Sequence, residues 1–273
     1  MNNYSTNIST DTLFHETIQN EYKILDLSNI KITNDKITND KIINDKNSNI
    51  NNIQDRIVKI TFYFAYIFLI TTGTITFIES LRTNNPTIRH IMNLETCISI
   101  VAGYFYSVFI DIIKESENKG QLLPYDTINN MRYTDWFIST PLMLLVLCIV
   151  LGMENNIRVK FKIYSLILIF NFAMLVSGYL GDIGVISKIA GLFIGFLWFF
   201  AMFGLIWRTF MSDKKSKESI VIYSIFIILW SLYGVAYMSE TINKIISYNI
   251  LDLIAKSFVG IFFWLYFTKV VQF

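Results

Sequence analysis

Seven apolar runs, at residues 58–80, 90–113, 132–151, 161–181, 186–208, 219–240 and 246–268, constrain this chain more than any other feature. Each is close to the ~20 residues that a helix needs to cross the hydrocarbon core of a bilayer. A soluble fold has no use for seven such runs, and the composition agrees: 53% of the 273 residues are hydrophobic and only 16% are charged. The runs do not alternate polar with apolar, and only three prolines and twelve glycines punctuate the chain, which disfavours a β-barrel. The sequence predicts an all-α membrane protein, a seven-transmembrane-helix bundle occupying residues 57–273 in contact with the lipid bilayer.

The linkers are short and carry turn and charge signals, among them Asn84-Asn85-Pro86 and Asp213-Lys214-Lys215-Ser216-Lys217. Residues 1–56 are different. They are rich in Asn, Ile, Lys and Asp and contain the repeats KITND, KITND and KIIND, whose five-residue period fits no helix or coiled coil, so a disordered polar tail is expected, with an interaction arm as the alternative. No apolar stretch of signal-peptide type precedes the first run. Lys and Arg concentrate on one set of linkers: Arg82, Arg89, Arg158, Lys160, Lys162, Arg208, Lys214, Lys215, Lys217 and Lys269, against Lys114, Lys119, Lys188 and Lys244 on the other. By the positive-inside rule the C-terminus is cytoplasmic and the N-terminus extracellular, although Arg56 and Lys59 oppose the bias. A net charge of +2 gives no basic excess for nucleic acid. Cys97 and Cys148 lie inside apolar runs and read as buried small hydrophobes, and with two histidines, His15 and His90, no metal site is expected.

Ionisable side chains at bilayer depth need a partner or a purpose, at roughly 2.5 to 3.5 kcal/mol each. In the last run Asp252 and Lys256 stand one turn apart, so they share a face. A structural ion pair and a reactive buried lysine both fit that spacing. In the third run Arg132, Asp135, Trp136, Ser139 and Thr140 form one polar stripe that must face the bundle interior, and Pro141 then interrupts the backbone ladder.

Arg132-Tyr133-x-Asp135-Trp136 followed by Thr140-Pro141-Leu142, together with Asp252-x-x-x-Lys256-Ser257 in the last run, closely resembles the microbial (type 1) rhodopsins. Met174 to Gly178 and Trp230-x-x-Tyr233 add to the likeness, with Gly234 where the family usually has proline. Among these proteins the chain looks most like the rhodopsins of giant viruses, which would place it in a host-cell membrane. The resemblance implies that Lys256 binds all-trans-retinal as a protonated Schiff base. Asp135 and Asp252 are then its counterions, with Arg132 beneath them, so two carboxylates balance two cations. Asp135 is the implied proton acceptor, and Ser139, at a position usually threonine, is expected to bond its carboxylate. Trp136 and Trp230 are expected to sandwich the polyene, Tyr233 to reach toward Asp252, and Met174 with Gly178 to meet the ring. Tyr133, Thr140 and Tyr237 complete the implied pocket. For any one tryptophan or methionine, ordinary core packing is the better explanation; only the combination with Lys256 reverses that in favour of the pocket. Trp198 has no place in this scheme.

Outward proton pumps of this family commonly carry a proton-donating carboxylate eleven residues beyond the acceptor, about 16 Å along the same helix face, and here that position is Val146. Glu95 in the second run is the replacement candidate; it fits equally an interfacial glutamate or a cation pathway. Glu240, near the end of the sixth run, is either a release group or an exposed loop acid. The expected function is a light-driven outward proton pump rather than an enzyme, with a light-gated channel for protons or other monovalent cations and a slow photosensor as alternatives. A homo-oligomer, trimer or pentamer, follows from the resemblance.

Overall fold

The computed structural model describes residues 53–211 and 216–268; the expected tail, up to residue 52, lies outside them. Seven helices are long and apolar enough to span a membrane: α1 (Ile53–Arg82), α2 (Pro86–Asn118), α3 (Tyr125–Glu154), α4 (Phe161–Asp182), α5 (Lys188–Phe210), α6 (Lys217–Tyr237) and α7 (Thr241–Phe267). No strand occurs among the described residues. From Asp55 onward the described residues form one compact unit.

The helix starts follow local chemistry. Asn85 accepts hydrogen bonds from the Thr87 and Ile88 amides with Pro86 in the first turn of α2, and Ser187 and Ser216 cap α5 and α6 in the same way. The ends differ from those read off the apolar runs. Helix α3 begins at Tyr125, seven residues before the run, because a polar first turn, Tyr-Asp-Thr-Ile, stays helical after Pro124. Helix α6 stops at Tyr237, three residues short, and Glu240 lies exposed at the N-cap of α7. The larger departure is inside α7: Leu253–Phe258 is a π-helical stretch, with the Val259 amide reaching back to the Ile254 carbonyl.

The interior packs as two large apolar halves and a smaller cluster of Tyr133, Trp136, Leu175, Ala236, Tyr248 and Leu251, with a polar layer among them. One half packs Ile91 and Ile98 of α2 with Leu144 and Leu147 of α3, Phe203 of α5, Phe226 of α6 and Phe263 of α7. The other packs Phe62 and Leu69 of α1 with Phe105 and Phe109 of α2, Ile128 of α3 and Ile245 of α7. Arg132, Asp135, Asp252 and Lys256 fall between, all at most 1% exposed. Outward faces are apolar, with Phe193, Leu197 and Val235 open to the surroundings, as a lipid-facing surface is. Cys97 faces outward with them, so of the two cysteines expected inside only Cys148 is buried.

Helices α4 and α5 approach closely where Gly181 meets Gly191. A Cβ on Gly191 would lie 2.8 Å from the Ser177 carbonyl oxygen and 3.0 Å from the Tyr237 hydroxyl, so neither helix tolerates a side chain there. Gly191→Ala is expected to cost about 1–3 kcal/mol by forcing the two helices apart. Thermal unfolding of the detergent-solubilised chain checks this, and an unchanged midpoint would contradict the packing described.

A candidate retinal site at Lys256

The polar layer is built by α3 and α7. Lys256 Nζ lies 2.6 Å from Asp135 Oδ2 and 3.6 Å from Asp252 Oδ2. The π-helical stretch begins directly after Asp252 and contains Lys256, so the two residues flank a wider turn than the α-helical spacing implies. Ser257 anchors this turn to α1: its hydroxyl donates to the Phe68 carbonyl at 3.0 Å and stands 2.5 Å from the Thr72 hydroxyl.

The two carboxylates differ in their partners. Asp252 accepts from the Arg132 guanidinium at 3.1 Å, the Tyr106 hydroxyl at 3.0 Å, the Trp136 indole at 3.2 Å and the Tyr233 hydroxyl at 2.7 Å. Asp135 has Lys256 on Oδ2, while its Oδ1 has no partner. The expected bond from Ser139 is missing, and its buried hydroxyl is also unpartnered. The reason is geometric: Asp135 turns its carboxylate toward the lysine on α7, away from its own helix. Arg132 is held rigidly. A second guanidinium nitrogen donates to Asn249 Oδ1 at 2.7 Å, Asn249 donates to Thr61 at 2.8 Å, and the rings of Phe62, Tyr106, Phe109 and Tyr248 surround the cation at 5.3 to 5.7 Å. Tyr106, Asn249 and Thr61 were not singled out in the sequence. Asn249 carried a signal, since 249, 252 and 256 follow helical spacing; Tyr106 and Thr61 sit in ordinary apolar runs.

A largely apolar cavity runs from Lys256 and Asp252 to the wall formed by α4, α5 and α6. Trp136, Trp230, Tyr233 and Tyr248 line it, together with Tyr133, Thr140, Met174, Gly178 and Tyr237. Thr140 donates to the Trp136 carbonyl at 2.6 Å and accepts from Asn171 at 2.9 Å, which fixes the α3 wall beside Pro141. At the far wall Gly234 lets the Phe196 ring lie against the α6 backbone; a Cβ there would stand 2.5 Å from that ring. Trp198 is outside the cavity, stacked on Phe170 at 5.7 Å. A buried amine at one end, aromatic walls and a glycine-lined far end suit a long, rigid, apolar aldehyde such as retinal, and the partnerless Asp135 Oδ1 leaves polar capacity beside the amine. Val146 is packed in the apolar half-core. Glu95 is 3% exposed, and its carboxylate would lie 3.0 Å from a Cβ on Gly260, one turn beyond Lys256.

The family model for bacteriorhodopsin-like protein matches residues 56–270. The chain is 25% identical over 155 residues to the green-light absorbing proteorhodopsin of Gamma-proteobacterium EBAC31A08, a stretch covering 51% of this chain and 61% of that protein, less than two thirds of the relative's length. It is 26% identical over 149 residues to Opsin-1 of Neurospora crassa, covering 49% and 47%. Among solved structures, viral rhodopsin OLPVRII is 46% identical with a TM-score of 0.71, over 79% of this chain and 99% of that one. Xanthorhodopsin, described as a light-driven ion pump with dual chromophore, shares the fold at a TM-score of 0.64 and 19% identity, over 77% and 92%. With the family model spanning the whole bundle and a viral rhodopsin matched along almost its full length, the chain is an integral membrane protein that belongs to the bacteriorhodopsin-like, or microbial, rhodopsins and resembles the viral ones.

Proposed function

We propose that the protein is a light-driven outward proton pump in which Asp135 takes the proton from the Lys256 nitrogen. Proteins of this family bind retinal as chromophore. Lys256 would hold all-trans-retinal, with Trp136, Trp230, Tyr233, Met174 and Gly178 as its walls, and the bound group would supply light absorption and a change of shape beside the lysine nitrogen. The observation that carries the reading is the unequal solvation of the two acids. Asp252 has four donors besides the lysine, so protonating it disrupts bonds that favour its charge. Asp135 has one donor and an open oxygen, so it is the carboxylate free to accept a proton.

Arg132, bonded to Asp252 and enclosed by four rings, stands beyond Asp135 on the side toward which the proton is released. Return of a proton falls to Glu95. It has no ion-pair partner among the described residues, and burying a lone carboxylate costs far more than burying the neutral acid. In that form it has a proton to give, and Gly260 keeps the space between it and the Lys256 turn free of side chain. With the C-terminus cytoplasmic, Glu95 lies on the cytoplasmic side of Lys256 and Arg132 on the extracellular side, which sets the direction as outward.

Illumination of cells expressing the full chain with added retinal, with external pH and voltage-clamped photocurrent recorded, tests the proposal. Acidification abolished by a protonophore, with current that keeps one sign across voltages, is expected. Current that reverses with the ion gradient would instead make the Glu95 region a cation pathway, and a pigment silent in both assays would make the protein a sensor. Lys256→Ala is expected to form no visible pigment. Asp135→Asn is expected to absorb further to the red, since loss of the negative charge beside the nitrogen destabilises the ground state more than the excited state, and to lose transport on the order of 100-fold or more. Glu95→Gln should slow photocycle recovery on the order of 10-fold or more, with rescue by azide as a diffusible donor; an unchanged recovery would leave Glu95 a structural residue.

A further inference from the structure

A second buried ion pair stands apart from Lys256. Lys244 Nζ lies 2.6 Å from Asp182 Oδ1, with side chains 7% and 4% exposed. Asp182 Oδ2 also accepts from the Tyr133 hydroxyl at 2.8 Å and the Asn129 amide at 3.1 Å. The Lys244 ammonium sits 5.3 Å from the centre of the Tyr237 ring and 5.8 Å from that of Tyr248. Lys188 approaches Tyr237 as well, at 5.5 Å, and donates to the Ser239 carbonyl at 3.4 Å.

Tyr133, Tyr237 and Tyr248 all line the retinal cavity, so each of these charges is separated from it by a single aromatic ring. The location along the cavity follows from α4. Asp182 lies one turn beyond Gly178, whose carbonyl accepts from the Tyr237 hydroxyl at 3.1 Å, and Gly178 belongs to the wall opposite Lys256. An aldehyde joined to Lys256 directs its other end to that wall.

We infer that the Asp182–Lys244 pair, with Lys188, tunes the colour of light the protein absorbs by setting the electrostatic potential at the end of the chromophore remote from Lys256. The inference rests on retinal being joined to Lys256. Excitation of a polyene with a positive nitrogen at one end moves positive charge toward the other end. A negative charge there stabilises the excited state and shifts absorption to the red; a positive charge shifts it to the blue. The intact pair nearly cancels and leaves the positive charge of Lys188 as the net contribution, so the cluster as a whole holds absorption to the blue. Removing one member leaves a net charge in a water-poor interior, where it is weakly screened. A pair that only ties α4 to α7, too remote to act on the chromophore, would weaken the fold when either member is removed and leave the absorption maximum unmoved in every variant that forms pigment.

The test compares absorption maxima of the full-length protein, reconstituted with all-trans-retinal and read up to alkaline pH so that a carboxyl freed of its lysine is ionised. Lys244→Gln is expected to shift to the red and Asp182→Asn to the blue, each on the order of 10 nm, with the double variant returning close to the parent. Lys188→Glu, at a half-buried position that tolerates change better, is expected to shift to the red. Shifts of one sign in both single variants, or an unmoved maximum in all of them, would overturn the inference. If the buried single variants form no pigment, an unshifted or blue-shifted Lys188→Glu overturns it alone. Failure of the parent chain to form pigment would count against retinal at Lys256, whereas good pigments with unmoved maxima count against the tuning role only.

Discussion

One buried quartet of charges organises this molecule. Lys256 and Arg132 are cations with no access to water, and Asp135 and Asp252 are the anions that make them tolerable at bilayer depth. Remove either carboxylate and a net charge is stranded between two apolar half-cores. The helices carrying the quartet, α3 and α7, are therefore bound to each other by electrostatics as well as packing, and α2 joins them through Tyr106, which bonds both Arg132 and Asp252. The π-helical stretch belongs to the same arrangement, because it widens α7 at the residue that must meet α3.

Neutrality alone does not make a machine; asymmetry within the quartet does. Asp252 is surrounded by donors and fixed, while Asp135 depends on a single partner across the helix interface. A disturbance at the Lys256 nitrogen is thus felt unequally, and the proposed transfer sends the proton to the less solvated acid. The Arg132 cage of four rings and Asn249 bounds one side of the layer, and the buried Glu95 lies on the other. Under the proposed pumping, a valine at 146 is no obstacle: the donor is needed near Lys256, and α2 can present one as well as α3.

Much of this was legible in the sequence, for physical reasons. A membrane leaves a strong imprint on composition, so the seven spans and the inward polar stripe of Arg132, Asp135 and Trp136 follow from hydropathy and helical spacing. What escaped was whatever depends on contacts between helices. The Ser139–Asp135 bond was expected from spacing on one helix and failed because the carboxylate prefers a partner on another. Cys97 lies in an apolar run yet faces outward, since a transmembrane helix is apolar on every face and its burial cannot be read from periodicity. Lys244 was counted among the linker charges and Asp182, 62 residues away, was not singled out; only folding brings them to 2.6 Å. The π-helical stretch has no marker in Leu-Ile-Ala-Lys-Ser-Phe.

The central claim is that Asp135, and not Asp252, receives the proton that leaves the Lys256 nitrogen. Time-resolved infrared spectroscopy of the illuminated protein reads it directly, through the carbonyl stretch of a newly protonated carboxylic acid. The account predicts that this band rises in step with loss of the nitrogen's proton and moves in frequency in Asp135→Glu, where the same step occurs on a different side chain. A band that keeps its frequency in Asp135→Glu would place the proton on another group and contradict the account.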